Sequence, residues 1–284
     1  MRLNRFDPSS INVRGGGGGG FPGGAGGGIG CGTVVIALIA ALVFGVDPTS
    51  MLGGMQQSGP TSAQQGDGSA QSVEELCTQN AYATEACNAL QSLDQTWQPE
   101  FQRAGIAFRQ PTLNFYTGGT RSGCGSASSS MGPFYCPADE GIYIDTSFYD
   151  QMARQLGAGG DFARYYVMAH EYGHHIQNLT GVASQIRSAQ NQNPQAANQL
   201  QVRMELQADC YAGVWAGKNR NLIEPGDLEE GMTAASAIGD DALTGGRVSA
   251  ENFTHGTSAQ RMEALRAGIQ SADDTVCDRY VQIR

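Results

Sequence analysis

Residues 170–175 read His-Glu-Tyr-Gly-His-His and contain three of the four histidines of the chain. They include the pattern His-Glu-x-x-His. If this stretch is helical, His170 and His174 lie four residues apart on one face, so both imidazoles can bind one metal ion. Glu171 is rotated by about 100° from His170 and can reach a metal-bound water without binding the metal itself. The alternative interpretation is a charged, solvated turn of a surface helix.

The flanking residues predict that this pattern lies in the middle of a helix. Asp161 is a suitable N-cap and Gly181 is a suitable stop, with apolar residues spaced for packing between them. Gly173 costs about 1 kcal/mol relative to alanine inside a helix, which indicates that another backbone or a ligand comes close there. His175 points away from the face of the other two histidines. We therefore expect it to have a structural or supporting role rather than to bind the metal.

A second segment of the sequence carries carboxylates at a helical spacing. The predicted helix extends from Pro194 to about Lys218, and within it Glu205 and Asp209 lie four residues apart among apolar residues. Like charges at this spacing repel each other, and burying them without a partner costs more. A cation resolves both problems, with Glu205 as a third zinc ligand and Asp209 accepting a hydrogen bond from the far nitrogen of a ligating histidine. The alternative is two solvated carboxylates on a surface helix.

His255 is the only histidine outside the motif. It comes just before Thr257 and Gln260, which together predict a capping box at the start of the last long helix. His255 can donate to the oxyanion of a transition state, as a catalytic residue, or hydrogen-bond a metal ligand. A purely structural role at the helix start is the alternative. Asp240 and Asp241 oppose the dipole near the end of another predicted helix, and we expect an arginine or a backbone turn, rather than a second metal, to compensate them.

The N-terminal quarter has a composition unlike that of a folded domain. Residues 1–28 are rich in glycine, and we expect them to bury no core and to be disordered. Residues 29–46 carry no charge and have about the minimum length for a transmembrane helix. Residues 47–72 resemble a flexible linker. The sequence therefore predicts one folded ectodomain over residues 73–284, long enough for a real core.

The charges around the apolar segment predict its orientation. Arg2, Arg5 and Arg14 precede it and Asp47 follows it, so the positive-inside rule places the N-terminus in the cytoplasm. We expect a single-pass protein of the cell membrane, with the lipid bilayer contacting residues 29–46 and the ectodomain outside the cytoplasm. A cleaved signal peptide and a buried core helix are the alternatives. A net charge of −10 and a pI near 4.8 argue against nucleic acid or an anionic membrane surface as partner.

Six cysteines fall within the predicted ectodomain, and an even number outside the cytoplasm indicates disulfides. Proximity favours two pairs and elimination leaves the third: Cys77–Cys87, Cys124–Cys136 and Cys210–Cys277. Metal binding is an alternative, although the chain has no Cys-x-x-Cys pattern. Buried free thiols are another.

The coarse pattern of the ectodomain is mostly helical with a few short strands, which predicts the α+β class. The predicted helices cover residues 73–103, 147–156, 161–180, 194–218, 227–243 and 257–268. The predicted strands cover residues 111–117, 134–136 and 141–145, with a Gly/Ser-rich loop over residues 118–132.

Three segments together resemble the membrane-anchored neutral zinc metallopeptidase family of bacteria: His170-Glu171-Tyr172-Gly173-His174, Glu205-Leu206-Gln207-Ala208-Asp209 and Phe253-Thr254-His255-Gly256-Thr257. The resemblance covers the whole chain, including the basic, Gly-rich N-terminus, the apolar segment, Gly132-Pro133-Phe134-Tyr135-Cys136-Pro137 and Ala237-Ile238-Gly239-Asp240-Asp241. The spacing of the first two segments is similar to the gluzincin arrangement. That similarity implies His170, His174 and Glu205 as metal ligands, Glu171 as the catalytic base and Asp209 as the residue that supports a ligand.

The resemblance also implies a fold and an activity. The expected fold is a zincin-like α+β ectodomain, predominantly helical, with a small sheet packed on the motif helix and one transmembrane helix before it. The expected activity is that of a membrane-tethered, extracytoplasmic zinc endopeptidase with one catalytic Zn²⁺, acting on a peptide or protein substrate. A strand near residues 142–145 could pair with an extended substrate. The alternative function is a catalytically inactive zinc-binding scaffold in the cell envelope, which would need the three ligands but not Glu171.

Overall fold

The computed structural model describes residues 1–16 and 71–282. The predicted transmembrane segment, residues 29–46, lies outside these residues, as does nearly all of the predicted linker. Among the residues that are described, no helix has both the length and the apolar character needed to cross a bilayer.

Helices make up most of this described part of the chain, as the sequence predicted. In chain order they are α1 Val73–Thr78, α2 Ala81–Ala104, α3 Ser147–Leu156, α4 Asp161–Leu179, α5 Val182–Gln192, α6 Ala197–Lys218, α7 Asp227–Ala237, α8 Asp240–Leu243, α9 Ser258–Ser271 and α10 Asp278–Val281.

The strands form two small sheets, and the fold is therefore α+β and predominantly helical. The strands are β1 Asn12–Gly15, β2 Thr112–Phe115, β3 Gly119–Ser122, β4 Gly125–Ser128, β5 Phe134–Cys136 and β6 Gly141–Ile144. The four-stranded sheet has the order β1-β2-β6-β5. Strands β1, β2 and β6 are parallel, and β5 pairs antiparallel with β6. The pair β3–β4 is a separate hairpin within the Gly/Ser-rich segment that was predicted to be a loop.

The first sixteen residues belong to the folded domain. Strand β1 pairs with β2, and the side chains of Met1, Phe6, Ile11 and Val13 are buried in the core. The prediction that residues 1–28 bury no core is therefore wrong for residues 1–16. Ile11 and Val13 alternate with exposed neighbours, which is the period of a strand with one buried face. The prediction missed this short pattern because the glycine-rich composition of the adjacent residues indicated disorder.

The motif helix α4 lies in the centre of the domain and packs against α2, α6 and α7. Helix α6 in turn packs along α9 at very short range. A side chain at Gly213 of α6 would overlap the backbone of Leu265 in α9, and one at Gly268 would overlap the backbone of Cys210. These glycines let the two helix backbones touch, and this contact holds α9 against the helix that carries Glu205.

Several predicted boundaries are confirmed and others are corrected. Helix α3 and the end of α4 lie where predicted, and Thr257 caps α9 with Gln260 in a capping box. The N-cap of α4 is Gly160 rather than Asp161, which is the first helical residue. The predicted helix over residues 227–243 is broken at Ile238 and Gly239 into α7 and α8.

All three predicted disulfides are present. Cys77–Cys87 joins α1 to α2, Cys124–Cys136 joins the β3–β4 turn to β5, and Cys210–Cys277 joins α6 to the C-terminal segment. All six of these cysteines are oxidised in disulfides and cannot bind a metal as thiolates. The alternative that they are metal ligands is therefore wrong. Three closed covalent loops also restrict the unfolded chain and thereby favour the folded state.

Candidate metal centre

Helices α4 and α6 bring together the three residues that the sequence predicted as ligands. One nitrogen of His170, one of His174 and one oxygen of Glu205 lie within 4.8 Å of one another. The crossing of the two helices is close because Gly173 has no side chain. A Cβ at this position would lie 2.9 Å from the Cα and carbonyl oxygen of Ala208 in α6. The predicted close approach at Gly173 is confirmed, and it is what brings Glu205 to the histidines.

The spacing of the donor atoms fits a zinc ion. The Nε2 atom of His170 lies 3.2 Å from Oε2 of Glu205, and the Nε2 atom of His174 lies 3.7 Å from Oε1 of the same residue. Ligand atoms bound tetrahedrally to zinc at about 2.0–2.2 Å are separated by roughly 3.3–3.6 Å. The two distances fall on either side of this value. Two imidazoles and one carboxylate, with a fourth position left for water or substrate, form the donor set of a catalytic zinc site.

Both histidines are held with Nε2 facing the site. The Nδ1 of His170 donates to Oδ1 of Asp209 at 2.8 Å, because a carboxylate oxygen can only accept. The Nδ1 of His174 donates to Oε1 of Gln177 at 2.9 Å. The amide of Gln177 is oriented in turn by its own nitrogen, which donates to the backbone oxygen of Met204 at 2.8 Å. Such hydrogen bonds fix the tautomer and the ring direction of a metal-binding histidine.

Asp209 is the centre of a buried network that the sequence revealed only in part. Its carboxylate is fully buried and accepts from the hydroxyl of Tyr166 at 2.6 Å. It also accepts from Nε and Nη2 of Arg261, both at 2.9 Å. Arg261 is only 1% exposed, so Arg261 and Asp209 form a desolvated, bidentate ion pair. We did not predict Tyr166 or Arg261, although Tyr166 lies four residues before His170 on the same helical face.

Opposite charges at close range control the ionisation of these groups. Burial alone would lower the pKa of His170, but Asp209 and Glu205 outweigh it and raise the pKa to about 9. Burial would raise the pKa of Glu205, but His174 and His170 hold it well below its usual range. Burial likewise opposes ionisation of Asp209, and Arg261 and His170 lower its pKa. Both carboxylates are therefore ionised, and a divalent cation held by His170, His174 and Glu205 would replace the protons on the imidazole nitrogens that face the site.

Glu171 lies beside the ligand group on α4 and is 9% exposed. Burial raises the pKa of its carboxyl group, and the neighbouring His170 and His174 reduce this effect. Within the described residues its carboxylate takes part in no hydrogen bond, so both oxygens are available to a water molecule. A carboxylate with a raised pKa is a better proton acceptor than an ordinary glutamate.

His255 lies outside the ligand group and is held by Asp240. Its Nδ1 donates to Oδ1 of Asp240 at 3.2 Å, and its backbone N–H donates to Oδ2 of the same residue at 2.6 Å. The backbone N–H groups of Thr254 and Gly256 donate to that oxygen as well, at 2.7 and 3.1 Å. This arrangement uses Nδ1 of the imidazole and leaves Nε2 for another partner.

The loop that carries His255 packs onto α6 next to Glu205. Gly256 has a φ of +83°, and a Cβ there would lie 3.1 Å from Val202 and 3.5 Å from Leu206. These two side chains flank Glu205 in sequence. His255 is close enough to Glu205 to contribute to the lowered pKa of that carboxyl group.

Backbone N–H groups of a turn compensate the negative charges of Asp240 and Asp241. This is one of the two predicted alternatives, the other being an arginine. Asp241 accepts from the backbone N–H and the hydroxyl of Ser258 at 2.7 and 2.8 Å. The reason we gave was wrong, however. Both aspartates lie in the first turn of the short helix α8, where the helix dipole favours them.

His175 does not belong to the ligand group, as its position on the helix predicted. It is fully buried, and its Nε2 donates to the backbone oxygen of Arg109 at 2.7 Å. Its Nδ1 therefore accepts from the hydroxyl of Tyr135 at 3.0 Å, and that hydroxyl oxygen accepts from the amide of Asn178 at 3.0 Å. Burial lowers the pKa of His175 to about 4. The residue is a neutral link between α4 and the sheet.

The link through Tyr135 places β5 against the motif helix. Strand β5 is the outer strand of the four-stranded sheet, and its far side is free of strand partners in the described part of the chain. Strand β6, by contrast, is paired with β2 on one side and β5 on the other. The predicted pairing of a substrate with a strand near residues 142–145 is therefore blocked at Ile142 and Tyr143, which are paired on both sides.

A second group of acidic residues at the start of α4 has another explanation than metal binding. Asp161, Asp227 and Glu230 also bring oxygen atoms within 4.8 Å of one another. The α-ammonium group of Met1 lies 2.8 Å from Asp227 and 3.1 Å from Asp161. Glu230 accepts from the backbone N–H of Phe162 at 3.0 Å and so caps α4. Each of these carboxylates is already paired.

Comparison with known proteins identifies the family of this chain. Residues 4–280 match the model of a family described as "putative neutral zinc metallopeptidase". The chain belongs to this family. It is 45% identical over 253 residues to the uncharacterized protein YpfJ of Escherichia coli K12, an alignment that covers 87% of this chain and 85% of the relative. It is 41% identical over 205 residues to the uncharacterized protein Rv2575 of Mycobacterium tuberculosis, covering 66% of this chain and 67% of that protein. No solved structure matches the chain.

Proposed function

We propose that this member of the family is a zinc-dependent endopeptidase with a gluzincin-type site. One observation carries the proposal: three donor atoms are spaced for zinc, and both imidazoles have a hydrogen bond that points Nε2 at the site. In this assignment His170, His174 and Glu205 bind a single zinc ion, and Asp209 orients His170. Bound there, zinc supplies Lewis acidity and makes a nearby water acidic enough to lose a proton near pH 7.

Glu171 acts as the general base in this proposal. Its carboxylate accepts a proton from the water whose oxygen attacks the scissile carbonyl carbon. The same carboxyl group then donates that proton to the amide nitrogen as the C–N bond breaks. The raised pKa of Glu171 favours both the uptake and the return of the proton near neutral pH.

His255 is proposed to stabilise the negative charge that develops on the carbonyl oxygen. Its Nδ1 donates to Asp240, which fixes the ring, and Nε2 can donate to the oxyanion when the imidazole carries a proton on both nitrogens. An alternative structural role would leave turnover unchanged when the ring is removed.

The free edge of β5 is the proposed place for an extended substrate. Main-chain groups of a peptide can pair with an open strand edge, and strand β5 contacts the motif helix. The hydrogen bond between Tyr135 of β5 and His175 of α4 fixes the distance between the strand and the helix. The proposed substrate is therefore a peptide or an unfolded segment of a protein.

The proposed location is outside the cytoplasm, at the cell membrane. Three disulfides in the domain favour an oxidising compartment. The apolar residues 29–46 are proposed to contact the lipid bilayer. The acidic net charge gives no support to a nucleic-acid partner.

Zinc analysis and proteolysis of the same samples test this function. We expect about one zinc per chain and cleavage of a peptide library that stops with a chelator and returns with added zinc. The Glu205→Ala variant should lose both zinc and cleavage, whereas Glu229→Ala, which changes an exposed glutamate of α7, should lose neither. Stoichiometric zinc without cleavage of any peptide or unfolded protein would favour the scaffold function instead.

A further inference from the structure

The N-terminal segment, residues 1–16, is built into the same sheet as the proposed substrate strand. Strand β1 pairs with β2 over four residues, from Asn12 opposite Thr112 to Gly15 opposite Phe115. The side chains of Ile11 and Val13 are 5% and 8% exposed. Neighbouring strands lie about 4.8 Å apart, so this pairing requires direct contact along the segment.

Side-chain hydrogen bonds hold the residues before β1 as well. The backbone N–H of Phe6 donates to the amide oxygen of Asn88 in α2 at 2.9 Å. The hydroxyl of Ser10 donates to Gln91 of the same helix at 2.9 Å, and Gln110 donates to the backbone oxygen of Ser10 at 2.8 Å. These partners lie 80 to 100 residues away in the sequence, so the contacts belong to the tertiary fold.

Two of the arginines that predicted the membrane orientation are engaged by the domain. Arg2 pairs with Glu224 at 2.7 Å, and Arg5 pairs with Glu74 at 2.6 Å. Such exposed pairs contribute little stability. They do show that these two positive charges lie on the surface of the domain. The positive-inside argument then depends on Arg14 alone.

From this pairing we infer that residues 1–16 and residues 71–282 lie on the same side of the membrane. A bilayer has an apolar core about 30 Å thick, so strands on opposite sides of it cannot share a sheet. The same-side arrangement replaces the expected orientation in which the N-terminus is cytoplasmic and the domain is outside.

Strand β1 also bears on the proposed substrate edge, and this point alone rests on the proposed function. Strand β1 covers the open edge of β2, on the side of the sheet opposite to β5. In this sheet β1 and β5 are therefore the two edge strands, and β5 is the one that packs against the motif helix. Combined with the disulfides, the same-side arrangement places the N-terminus outside the cytoplasm together with the domain.

Cysteine labelling of the full chain in cells tests the inference. Asn4→Cys and Arg266→Cys place a thiol at exposed positions of the N-terminal segment and of α9, each in a chain carrying Cys31→Ser. We expect a membrane-impermeant maleimide to label both variants in intact cells. Labelling of both only after permeabilisation would still support the same-side arrangement, but it would overturn the proposed extracytoplasmic location. Labelling of one variant in intact cells and of the other only after permeabilisation would overturn the inference.

A stability measurement on the purified full chain tests the packing itself. Val13→Asp buries a charge in the core, whereas Asn12→Asp places one at the neighbouring exposed position. We expect Val13→Asp to lower the thermal midpoint by about 5 °C or more and Asn12→Asp to change it by much less. Equal midpoints for the two variants would show that β1 is not packed on the domain and would overturn the inference. Neither measurement depends on peptidase activity.

Discussion

Replacing Arg261 with methionine removes the cation from the buried network behind the metal ligands. The guanidinium group gives two hydrogen bonds of 2.9 Å to Asp209, whose carboxylate is fully buried. Methionine fills similar space but leaves that charge without its positive partner. Breaking a buried ion pair from one side costs about 3–5 kcal/mol. Asp209 keeps its hydrogen bonds from Tyr166 and His170, so we expect a loss near the lower limit, about 3 kcal/mol.

The same substitution should weaken zinc binding. Asp209 orients His170 through Nδ1, and Arg261 holds Asp209 in place, so the ring loses part of its support. Loss of such an outer hydrogen bond typically weakens metal affinity about 10- to 100-fold. Denaturant unfolding of the metal-free protein gives the stability change, and competition with a zinc chelator gives the affinity. Arg266→Met is the matched control, because Arg266 lies on the same helix but is exposed.

A double-mutant cycle separates the free energy of the Arg261–Asp209 ion pair from other effects of the substitutions on stability. Asp209→Asn removes the charge that Arg261 neutralises, so the two substitutions together should cost clearly less than the sum of the single ones. Additive losses would show that Arg261 stabilises the protein through packing alone. Stability within about 0.5 kcal/mol of the wild type, with unchanged zinc affinity, would refute the reasoning altogether.

Three further predictions follow from single contacts. Burial raises the pKa of Asp94 from 3.8 to about 7, so its contribution to stability is fully present below pH 3.8 and is lost as the pH rises through 7. Asp94→Asn should therefore remove a decline of up to about 1.4 kcal/mol per pH unit in the unfolding free energy between pH 4 and 7. Gly173→Ala should reduce zinc affinity at least about tenfold, because the new Cβ meets the backbone of Ala208 at 2.9 Å and pushes Glu205 away. His255→Ala should lower kcat about 100-fold and leave zinc content unchanged, as expected for an oxyanion donor.

Each of these predictions has its own control and contradicting result. Glu229→Gln, which changes an exposed glutamate, should keep the decline of the unfolding free energy between pH 4 and 7. If the decline persists in Asp94→Asn, it belongs to another titrating group. Wild-type zinc affinity in Gly173→Ala would show that the helix crossing adapts without moving the ligand. Unchanged turnover in His255→Ala would establish the structural role of that histidine.

The ligand group was predictable because its geometry is local. Two histidines four residues apart must share a helical face, and so must Glu205 and Asp209. The sequence also indicated why the two helices meet, since Gly173 in mid-helix already predicted a close approach. The short cysteine spacings favoured two disulfides, and the third followed by elimination.

The parts that sequence reasoning missed depend on distant contacts. Arg261 lies 52 residues after Asp209, and nothing in its own neighbourhood marks it as a buried ion-pair partner. The pairing of β1 with β2 joins segments about 100 residues apart, which no local pattern specifies. In residues 1–16 the alternation of Ile11 and Val13 was present but too short to outweigh the glycine-rich composition that follows.

The proposed peptidase activity depends on proton transfer by Glu171 at a zinc site formed by His170, His174 and Glu205. Turnover per bound zinc in the Glu171→Gln variant tests it most directly, since glutamine keeps the size of the side chain but cannot accept the proton. We predict about one zinc per chain, as in the wild type, and a loss of peptide cleavage of about 100-fold or more. Cleavage at the wild-type rate with equal zinc content would contradict the claim.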